Sequence, residues 1–465
     1  MMVDRAVRVS RRSVLGMGLA TLGTALVAAC GQAPATGTPT APPAAAEPTR
    51  PVGGAAPSAQ APATGAATGT VTFMVPGGQQ EDSDFQPVFD EFAKRFPNVK
   101  ATYTGAGTGY TPQYDDKLLT MLAGNTAPDV FKTLQGNFGA LSERGAYRDL
   151  DPYVKADPTV QVDDFFAPHM ESCRYKGKLN ALPNDGAPQG TWYNVDLFKK
   201  ENVALPDWDW DWAKLLDASK ALTKRDAGGR ATSFGLGQPS WLPWVWSNGG
   251  DMLDADGKTC LLDKREAVEA FSWIQDRAIK DRVIPSPAEL TEMNANDMFT
   301  SGRLATSFGP RGSLGAFRNI KNFTFDAAPL IKGKKRVSLM GVGWTSIWSG
   351  SKAPDAAFVL TNWVCSAEGQ KLRISRGFAH PSRQSLVTQD WYVNYKADKS
   401  ATNGINTVFS ETLKRGEARV WPAHPKEKEI TVAINKQLDS LWDGKKPAAQ
   451  IAKDIAADVN KILQS

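Results

Sequence analysis

The chain has 465 residues, of which 42% are hydrophobic and 22% charged, a globular composition that excludes a collagen-like, coiled-coil or wholly disordered protein. Removing the four Arg and one Asp of residues 1–29 leaves 50 basic and 48 acidic residues, and this near-neutral balance argues against a nucleic-acid binder. Three His and four Cys offer few ligands for a zinc or copper site, so we expect no metal and no cofactor, whereas 14 Trp is an unusually large number. The length predicts two domains, or two lobes of one unit.

The N-terminal residues have the order of an export signal. Basic residues (Arg5, Arg8, Arg11 and Arg12) precede Val14–Ala29, an uncharged run shorter than the ~20 residues that span a bilayer. Ser10–Leu15 resembles a twin-arginine signal, and Val27–Cys30 resembles a lipobox, in which cleavage exposes a Cys that receives lipid. We therefore expect residues 1–29 to be a signal peptide and Cys30 to anchor the exported protein to the outer face of the cytoplasmic membrane.

Residues 30–69 are predicted to be a tether. Ala, Pro, Gly and Thr make up 33 of the 39 residues in 31–69, so this segment cannot build a core and should be disordered. Its root-mean-square reach is ~35 Å. After Cys30, three cysteines remain (Cys173, Cys260 and Cys365), which allow either one disulfide of unassigned pairing or three buried thiols.

From Thr70 onward, the hydrophobic pattern alternates between strands and helices. The predicted strands are Val71–Val75, Val99–Tyr103 and Asp129–Lys132. The predicted helices are 83–96, Tyr114–Ala123, Phe138–Arg144, Trp212–Thr223, Arg265–Lys280, Ala353–Ser366, Glu427–Trp442 and Pro447–Leu463. This rhythm predicts an α/β fold with a mainly parallel sheet and ligands at the carboxyl ends of its strands.

Several short segments resemble the motifs of one family, in the family's order. They are Phe92–Val99, Leu122–Val130, Tyr175–Lys178 with Ala181–Pro183, Trp192–Phe198, Phe299–Ala305, and Gly341–Gly343 followed by Lys352–Glu368. On these segments, residues 70–465 resemble the extracellular solute-binding proteins of family 1, the maltose-binding-protein-like, sugar-capturing lipoproteins of ABC importers.

The resemblance implies a periplasmic-binding-protein-like fold of two α/β lobes, with hinge crossings and an interlobe cleft. The first lobe would comprise residues 70–185 and 340–380, and the second lobe residues 186–339 and 381–465. We expect the chain to cross between lobes near Pro183–Gly190, Pro329–Leu339 and Gly377–Arg383.

Sugar binding in such a cleft needs aromatic rings for the apolar face of a pyranose. Three Trp (Trp241, Trp244 and Trp246) lie in a segment that contains Pro243 and ends at Gly249, and Trp244 and Trp246 could share one face of an extended chain. Trp344 follows the Gly-rich strand that lines the family's cleft, and Trp192 lies in a family motif. Core packing is the alternative for each of these rings. The run Trp208, Trp210 and Trp212, which alternates with Asp, is interpreted as a helix cap and surface packing.

Polar partners for sugar hydroxyls are expected at strand ends and crossings. Glu81 follows the first strand, Gln135 the third, and Asp185 lies at the first crossing. Asp129 suits a structural turn. Arg311 stands where the maltose-binding branch has a stacking aromatic residue, and Arg383 lies near the third crossing. Either Arg could bind the carboxylate of an acidic saccharide; alternatively, Arg311 bonds neutral hydroxyls or pairs with an acid of the opposite lobe.

The resemblance implies a monomeric binding protein that delivers a carbohydrate, expected to be an oligosaccharide, to an ABC permease and ATPase encoded as separate chains. The chain would catalyse no reaction, and G-x-S-x-G, HExxH and phosphate-loop motifs are absent from the sequence. The alternatives are the same fold with a polyamine, phosphate ester or peptide ligand, a sensor that signals to a partner, and a surface polysaccharide-degrading enzyme that uses paired carboxylates.

Overall fold

The computed structural model of the chain describes residues 67–133, 135–375, 379–394 and 405–465. The predicted signal peptide, the lipid-bearing Cys30 and the predicted tether up to residue 66 lie outside the described residues. Residues 377 and 378, which begin the predicted third crossing, lie outside them as well.

The described residues form twelve strands and eighteen α-helices. The strands are β1 (Gly69–Val75), β2 (Val99–Gly105), β3 (Val130–Thr133), β4 (Arg174–Tyr175), β5 (Lys178–Leu179), β6 (Leu182–Asn194), β7 (Lys224–Arg225), β8 (Ala231–Ser233), β9 (Thr306–Pro310), β10 (Phe325–Pro329), β11 (Ser338–Ile347) and β12 (Ala418–Val420). The helices are α1 (Gln79–Arg95), α2 (Pro112–Ala123), α3 (Phe138–Glu143), α4 (Asp151–Ala156), α5 (Ala167–Ser172), α6 (Val195–Lys200), α7 (Trp212–Leu222), α8 (Trp241–Ser247), α9 (Arg265–Ile279), α10 (Pro287–Glu292), α11 (Ala295–Thr300), α12 (Leu314–Phe317), α13 (Pro354–Cys365), α14 (Ala367–Ile374), α15 (Asp390–Val393), α16 (Thr407–Lys414), α17 (Glu427–Asp443) and α18 (Ala448–Gln464).

Helix α1 illustrates why the hydrophobic pattern predicts these elements well. Its buried residues Phe85, Val88 and Phe92 recur at helical spacing and therefore lie on one face. That face covers β1, where the rings of Phe73 and Phe85 meet edge to face with centroids 5.4 Å apart. Acidic residues in the first turn and basic residues in the last turn stabilise the helix through favourable interactions with its dipole.

The main sheet has eight strands and is mixed. Its order is β10-β6-β11-β3-β1-β2, with β9 beside β6 and β12 beside β11. Strand β1 pairs in parallel with β2 and β3, so these three strands end at one edge of the sheet. The prediction of a mainly parallel sheet is wrong, because β11 is antiparallel to both β3 and β6, and β6 is antiparallel to β9 and β10.

The long strands β6 and β11 explain the mixed pairing, because they carry the chain between the lobes in opposite directions. The first residues of β6 pair with the end of β11, beside β3. Its last residues, Gly190–Asn194, pair with β9 and β10 in the second lobe. One sheet therefore runs through both lobes.

Each lobe has its own apolar core. The first core includes Phe73, Phe131 and Trp363, and the second is built mainly from α8, α9, α17 and α18. A third cluster packs around Trp192 and Phe317, on the far side of β6 from the second. Within the described residues, no helix combines the length and the apolar content needed to span a membrane.

Candidate functional site

A gap in the pairing of β11 marks the place where the two lobes face each other. Strand β3 ends opposite Trp344, and β12, which runs in the reverse direction, ends opposite Met340. The carboxyl ends of β3 and β12 therefore point at each other, and Gly341–Gly343 of β11 have no strand partner on that side among the described residues. Loops that leave two such strand ends diverge into a crevice, which is the position where α/β proteins bind ligands.

The strands that form the hinge pack too closely for side chains at this point. The N–H of Gly186 donates to the carbonyl oxygen of His380 (3.1 Å), and the His169 ring nitrogen Nε2 lies 3.1 Å from the carbonyl oxygen of Gly186. A Cβ atom on Gly186 would lie 2.6 Å from the Gly341 carbonyl oxygen and 2.7 Å from His169 Nε2. Only glycine fits at this crossing.

A cavity of ≈ 300 Å³ opens beside the gap. The first lobe contributes the end of α5, the residue that begins β4, and Trp344 of β11. The second lobe contributes β12 and the loop that follows it. The lining residues are Pro168, Glu171, Ser172, Arg174, Trp344, Ala418, Arg419, Val420, Trp421 and Ala423.

Two tryptophans stand on opposite walls of the cavity. Trp344 is held in place because one ring face stacks on Phe138 (centroids 4.6 Å apart) and its N–H donates to Ser172 Oγ (3.1 Å). Trp421 lies edge to face with Trp241, at 5.6 Å. The indole N–H of Trp421 is buried and has no acceptor among the described residues. A ligand hydroxyl in the cavity could supply that acceptor once the Trp421 ring turns its N–H towards the cavity.

The cavity also has three charged side chains. Arg174 forms a two-pronged ion pair with Asp151, at 3.1 and 2.9 Å. Arg419 donates to Asp251 (2.9 Å), and its guanidinium lies over the Trp246 ring. Glu171 is exposed on the last turn of α5.

The walls touch directly where the loop after β3 meets the start of α17. The carboxylate of Glu427 is buried and accepts hydrogen bonds from the Gly136 backbone and the Gln135 side chain. Burial raises the pKa of Glu427 to about 8, despite these two hydrogen bonds. A Cβ atom on Gly139 would lie 2.6 Å from the His424 carbonyl group, so the second lobe presses on the start of α3.

A buried charge cluster lies behind the strand ends of the first lobe. Lys132 Nζ contacts Asp185 (3.3 Å) and Glu81 (3.5 Å), and Arg373 also bonds Asp185. Burial alone would raise the pKa of Asp185, but the charges of Lys132 and Arg373 hold it well below its ordinary value. Tyr110 completes the cluster, because its hydroxyl donates to Glu81 (2.6 Å) and accepts from Lys132 Nζ (2.6 Å). The Tyr110 side chain is nevertheless 59% exposed.

The structure therefore brings three predicted polar residues to the cleft edge of the first lobe, though in different roles. Glu81 and Asp185 are partners in the charge cluster, and Gln135 contacts the second lobe through Glu427. Asp129, predicted to be structural, accepts hydrogen bonds from Thr72 and Ser351.

The tryptophan segment of the second lobe is a helix, which corrects the expected extended chain. Trp244 and Trp246 are fully buried in α8 and present no face to the cavity. Trp241 is also buried, but its ring supports Trp421 at the cavity wall. Trp192 lies in the third apolar cluster with its N–H bonded to the Gly309 carbonyl oxygen, so core packing accounts for it.

The Trp208–Trp212 segment caps α7 through Asp211, as predicted, since the Asp211 side chain accepts the N–H of Lys214. The expected surface packing is wrong for Trp210, which is buried in the second core.

The two arginines predicted to bind a ligand are used inside the protein. Arg311 is fully buried, donates to Asn406 Oδ1 (2.6 Å) and the Ala379 carbonyl oxygen, and lies over the ring of Tyr392. Arg383 is also fully buried. It donates to three backbone carbonyl oxygens and lies 3.7 Å over the Phe165 ring. Neither guanidinium presents a surface to a ligand.

Of the residues that line the cavity, the sequence predicted Trp344 and missed the others. Glu171 and Arg174 belong to a short helix and its following strand, and Arg419 and Trp421 to a three-residue strand and its loop. The signal that could have identified Trp421 is its place before a Pro-rich turn leading into α17. Cys173, Cys260 and Cys365 are buried free thiols. Across the described residues, no group of three His, Cys, Asp or Glu side chains could hold a metal ion.

The chain is similar in sequence to known bacterial proteins. The family model for bacterial extracellular solute-binding proteins matches residues 76–371. One relative is a protein of Brucella abortus (strain 2308) that is named as a binding protein. It is 24% identical over 390 residues, which is 79% of this chain and 90% of the relative.

Two solved structures have the same fold. An ABC substrate-binding protein from Listeria monocytogenes in complex with cycloalternan superimposes with a TM-score of 0.73 at 22% identity, covering 85% of this chain and 99% of that one. The GacH receptor of Streptomyces glaucescens, solved without ligand and with acarbose, gives 0.70 at 23% identity, covering 86% and 99%. These likenesses confirm the predicted two-lobed α/β fold, and the family match confirms the resemblance found in the sequence.

Proposed function

We propose that this chain, which belongs to the bacterial extracellular solute-binding proteins, captures a carbohydrate between its lobes and delivers it to an ABC permease. The observation that carries the proposal is the cavity at the gap in β11, because each lobe supplies one wall and each wall supplies a tryptophan. A pyranose offers an apolar face to such rings and hydroxyls to the polar groups between them.

The volume of the cavity suits one or two sugar units. A binding site for a small molecule typically encloses about 300–1,000 Å³, and this cavity is at the lower end of that range. The adjacent gap opposite Gly341–Gly343 gives a longer oligosaccharide room to extend. Tyr110, exposed at the end of β2, is a further ring at the cleft edge of the first lobe.

Capture would work through closure of the lobes. A ligand that touches both walls binds the closed form better than the open form, and it shifts the equilibrium by that difference in affinity alone. The contact between Glu427 and Gly136 belongs to the closed arrangement, since it joins elements that pack on different cores. No residue in this scheme changes a bond in the solute.

The remaining parts of the proposal come from the sequence. The lipobox-like Val27–Cys30 supports a lipid anchor, and the twin-arginine-like Ser10–Leu15 supports export. The permease and its ATPase would be separate chains that recognise the closed form.

The test is thermal unfolding of the full-length protein with a panel of neutral, amino-bearing and acidic oligosaccharides. A ligand at a hundred times its Kd adds about 2.7 kcal/mol to the free energy of unfolding, which shifts the Tm clearly. We expect one saccharide class to raise the Tm and to be recovered chemically unchanged. A panel without any effect, or recovery of cleaved sugar, would overturn the proposal.

A matched pair of variants localises binding to the cavity. Trp421→Ala removes a ring from the second-lobe wall and should weaken the ligand-induced shift. Trp442→Ala is the control, because Trp442 is also partly buried on the second core but lies near the other end of α17, about 22 Å from Glu427 by helical rise. Loss of the shift in both variants would contradict the assignment to this cavity.

A further inference from the structure

We propose that the cavity selects neutral or amino-bearing sugars and rejects uronic acids. This inference rests on the proposed function, since it names the substrate class of the same site. It replaces the interpretation that Arg311 or Arg383 binds the carboxylate of an acidic saccharide.

Arg311 and Arg383 cannot contact a ligand in the cavity because both are buried. Both side chains have no exposed surface, and both guanidiniums donate to acceptors within the protein. Each also lies over an aromatic ring, Tyr392 for Arg311 and Phe165 for Arg383. A ligand carboxylate could reach them only if the hinge region came apart.

The two arginines that line the cavity are each paired with a carboxylate of the protein. Arg174 holds both oxygens of Asp151 in a two-pronged pair, which is the strongest geometry for a guanidinium and a carboxylate. Arg419 holds one oxygen of Asp251, whose other oxygen accepts the N–H of Trp246. An incoming carboxylate would have to displace Asp151 from Arg174. At Arg419, which donates to Asp251 through Nη2, it would meet the negative charge of Asp251 beside the guanidinium.

Glu171 is the remaining charged residue of the cavity lining. It lies exposed at the end of α5, and its carboxylate forms neither an ion pair nor a hydrogen bond with the part of the chain that the structure describes. Taken together with Asp151 and Asp251, which lie outside the lining and pair with the arginines, these charged side chains carry one net negative charge, that of Glu171. A free carboxylate accepts hydrogen bonds from hydroxyls and binds an ammonium group strongly, but it repels another carboxylate.

The size of the effect follows from Coulomb's law. Two like charges about 6 Å apart near a protein surface, at an effective dielectric constant between that of the protein and water, change affinity by about tenfold or more. We therefore expect a uronate oligosaccharide to bind at least about tenfold more weakly than its neutral counterpart, and an amino sugar at least as well as the neutral one.

The experiment measures Kd calorimetrically for matched pairs of sugars on the full-length protein. The probes are galactobiose with digalacturonate, and cellobiose with the glucosamine dimer, extended to longer oligomers of each. Glu171→Gln should reduce the neutral-to-uronate ratio of affinities by about tenfold. Glu292→Gln is the control, because Glu292 is an exposed carboxylate on α10, outside the cavity lining, and should leave the ratio unchanged.

The outcomes separate the two proposals. A uronate that binds as tightly as its neutral partner, or a ratio that Glu171→Gln leaves unchanged, would overturn charge selection while the sugar-binding function stands. Failure of every sugar to bind would overturn the proposed function and this inference together. The Tm of each variant without ligand shows whether its fold is intact.

Discussion

Glu427 and Gly136 meet across the space between the lobes, and the hydrogen bond from the Gly136 backbone to the Glu427 carboxylate joins the start of α17 to the loop after β3. The carboxylate is 4% exposed. Few charged groups lie around this carboxylate. The neighbouring Lys428 lies 4.0 Å from Asp116, and His424 faces Gly257 and Gly139. No cation among the described residues is paired with Glu427.

This contact predicts that closure depends on pH. In the closed form the pKa of Glu427 is raised to about 8, whereas an open form would expose the group and return its pKa towards the ordinary 4.5. Below pH 4.5 the group is neutral in both forms, so the closed form has its full stability. As pH rises from 4.5 to 8, closure requires uptake of a proton and becomes less favourable. Ligand affinity measured between pH 5 and 8.5 should therefore fall with pH.

Glu427→Gln should flatten that dependence, since an amide keeps a polar group at the site without a titration. Glu429→Gln, an exposed position two residues further along the same helix, is the control and should keep the slope of the parent protein. A slope that survives in Glu427→Gln would assign the pH dependence to another group.

The hinge glycine predicts a loss of stability when a methyl group is added. Gly186→Ala places Cβ 2.6 Å from the Gly341 carbonyl oxygen, so the β6 and β11 strands must separate or His169 must move. We expect the free energy of unfolding to fall by about 1–3 kcal/mol, as for other overpacked sites. Chemical denaturation of Gly341→Ala provides the control, because a Cβ there would meet nothing within 4 Å. Equal stability of the two variants would contradict the close crossing.

The unpaired indole N–H of Trp421 predicts a specific polar contact with the ligand. Trp421→Phe keeps an aromatic ring but removes the donor, which should raise Kd about five- to tenfold if a ligand hydroxyl accepts from it. Calorimetry with the sugar found in the panel is the measurement. Trp442→Phe should bind like the parent protein, and an unchanged Kd in Trp421→Phe would show that the N–H is not used.

The charge cluster predicts a large cost for removing one member. Asp185→Asn leaves Lys132 and Arg373 buried with less compensation, and breaking a buried pair in this way typically costs about 3–5 kcal/mol. Urea denaturation at pH 7 measures the loss. Glu143→Gln breaks an exposed pair with Lys176 and should cost no more than about 1 kcal/mol. Similar losses in both would mean that the cluster is not a true buried network.

The sequence predicted the elements better than the site because helices leave a local signal. The predicted helix Arg265–Lys280 ends one residue from the observed α9, since its apolar spacing and the residues that interrupt it are local. The tryptophan segment was expected to be extended but is helical. All residues of α8 are buried, so the sequence has no alternation of apolar and polar residues from which the helical period could be recognised. Pro243 is compatible with a helix there because it lies in the first turn.

The site depends on contacts between residues far apart in the chain, which a single sequence does not report. The sequence around Arg311 predicts a residue that faces the cleft, but its partner Asn406 is 95 positions away and turns it inward. The cavity walls come from residues 168–174, 344 and 418–423, which only the fold brings together. The order of the strands alone predicts that Glu81 and Asp185 lie at one edge of the sheet, where the structure places them in the charge cluster. That either of them binds a ligand stays a prediction.

Because two long strands run through both lobes, the hinge should bend along its length and not rotate about a single point. Because the β6–β11 pairing continues across the crossing, the lobes can swing only as far as a two-stranded ribbon bends and twists without losing its hydrogen bonds. Motion of one lobe against the other would then bend and twist this ribbon without unpairing it, so the β6–β11 hydrogen bonds should be the same in the open and the closed form.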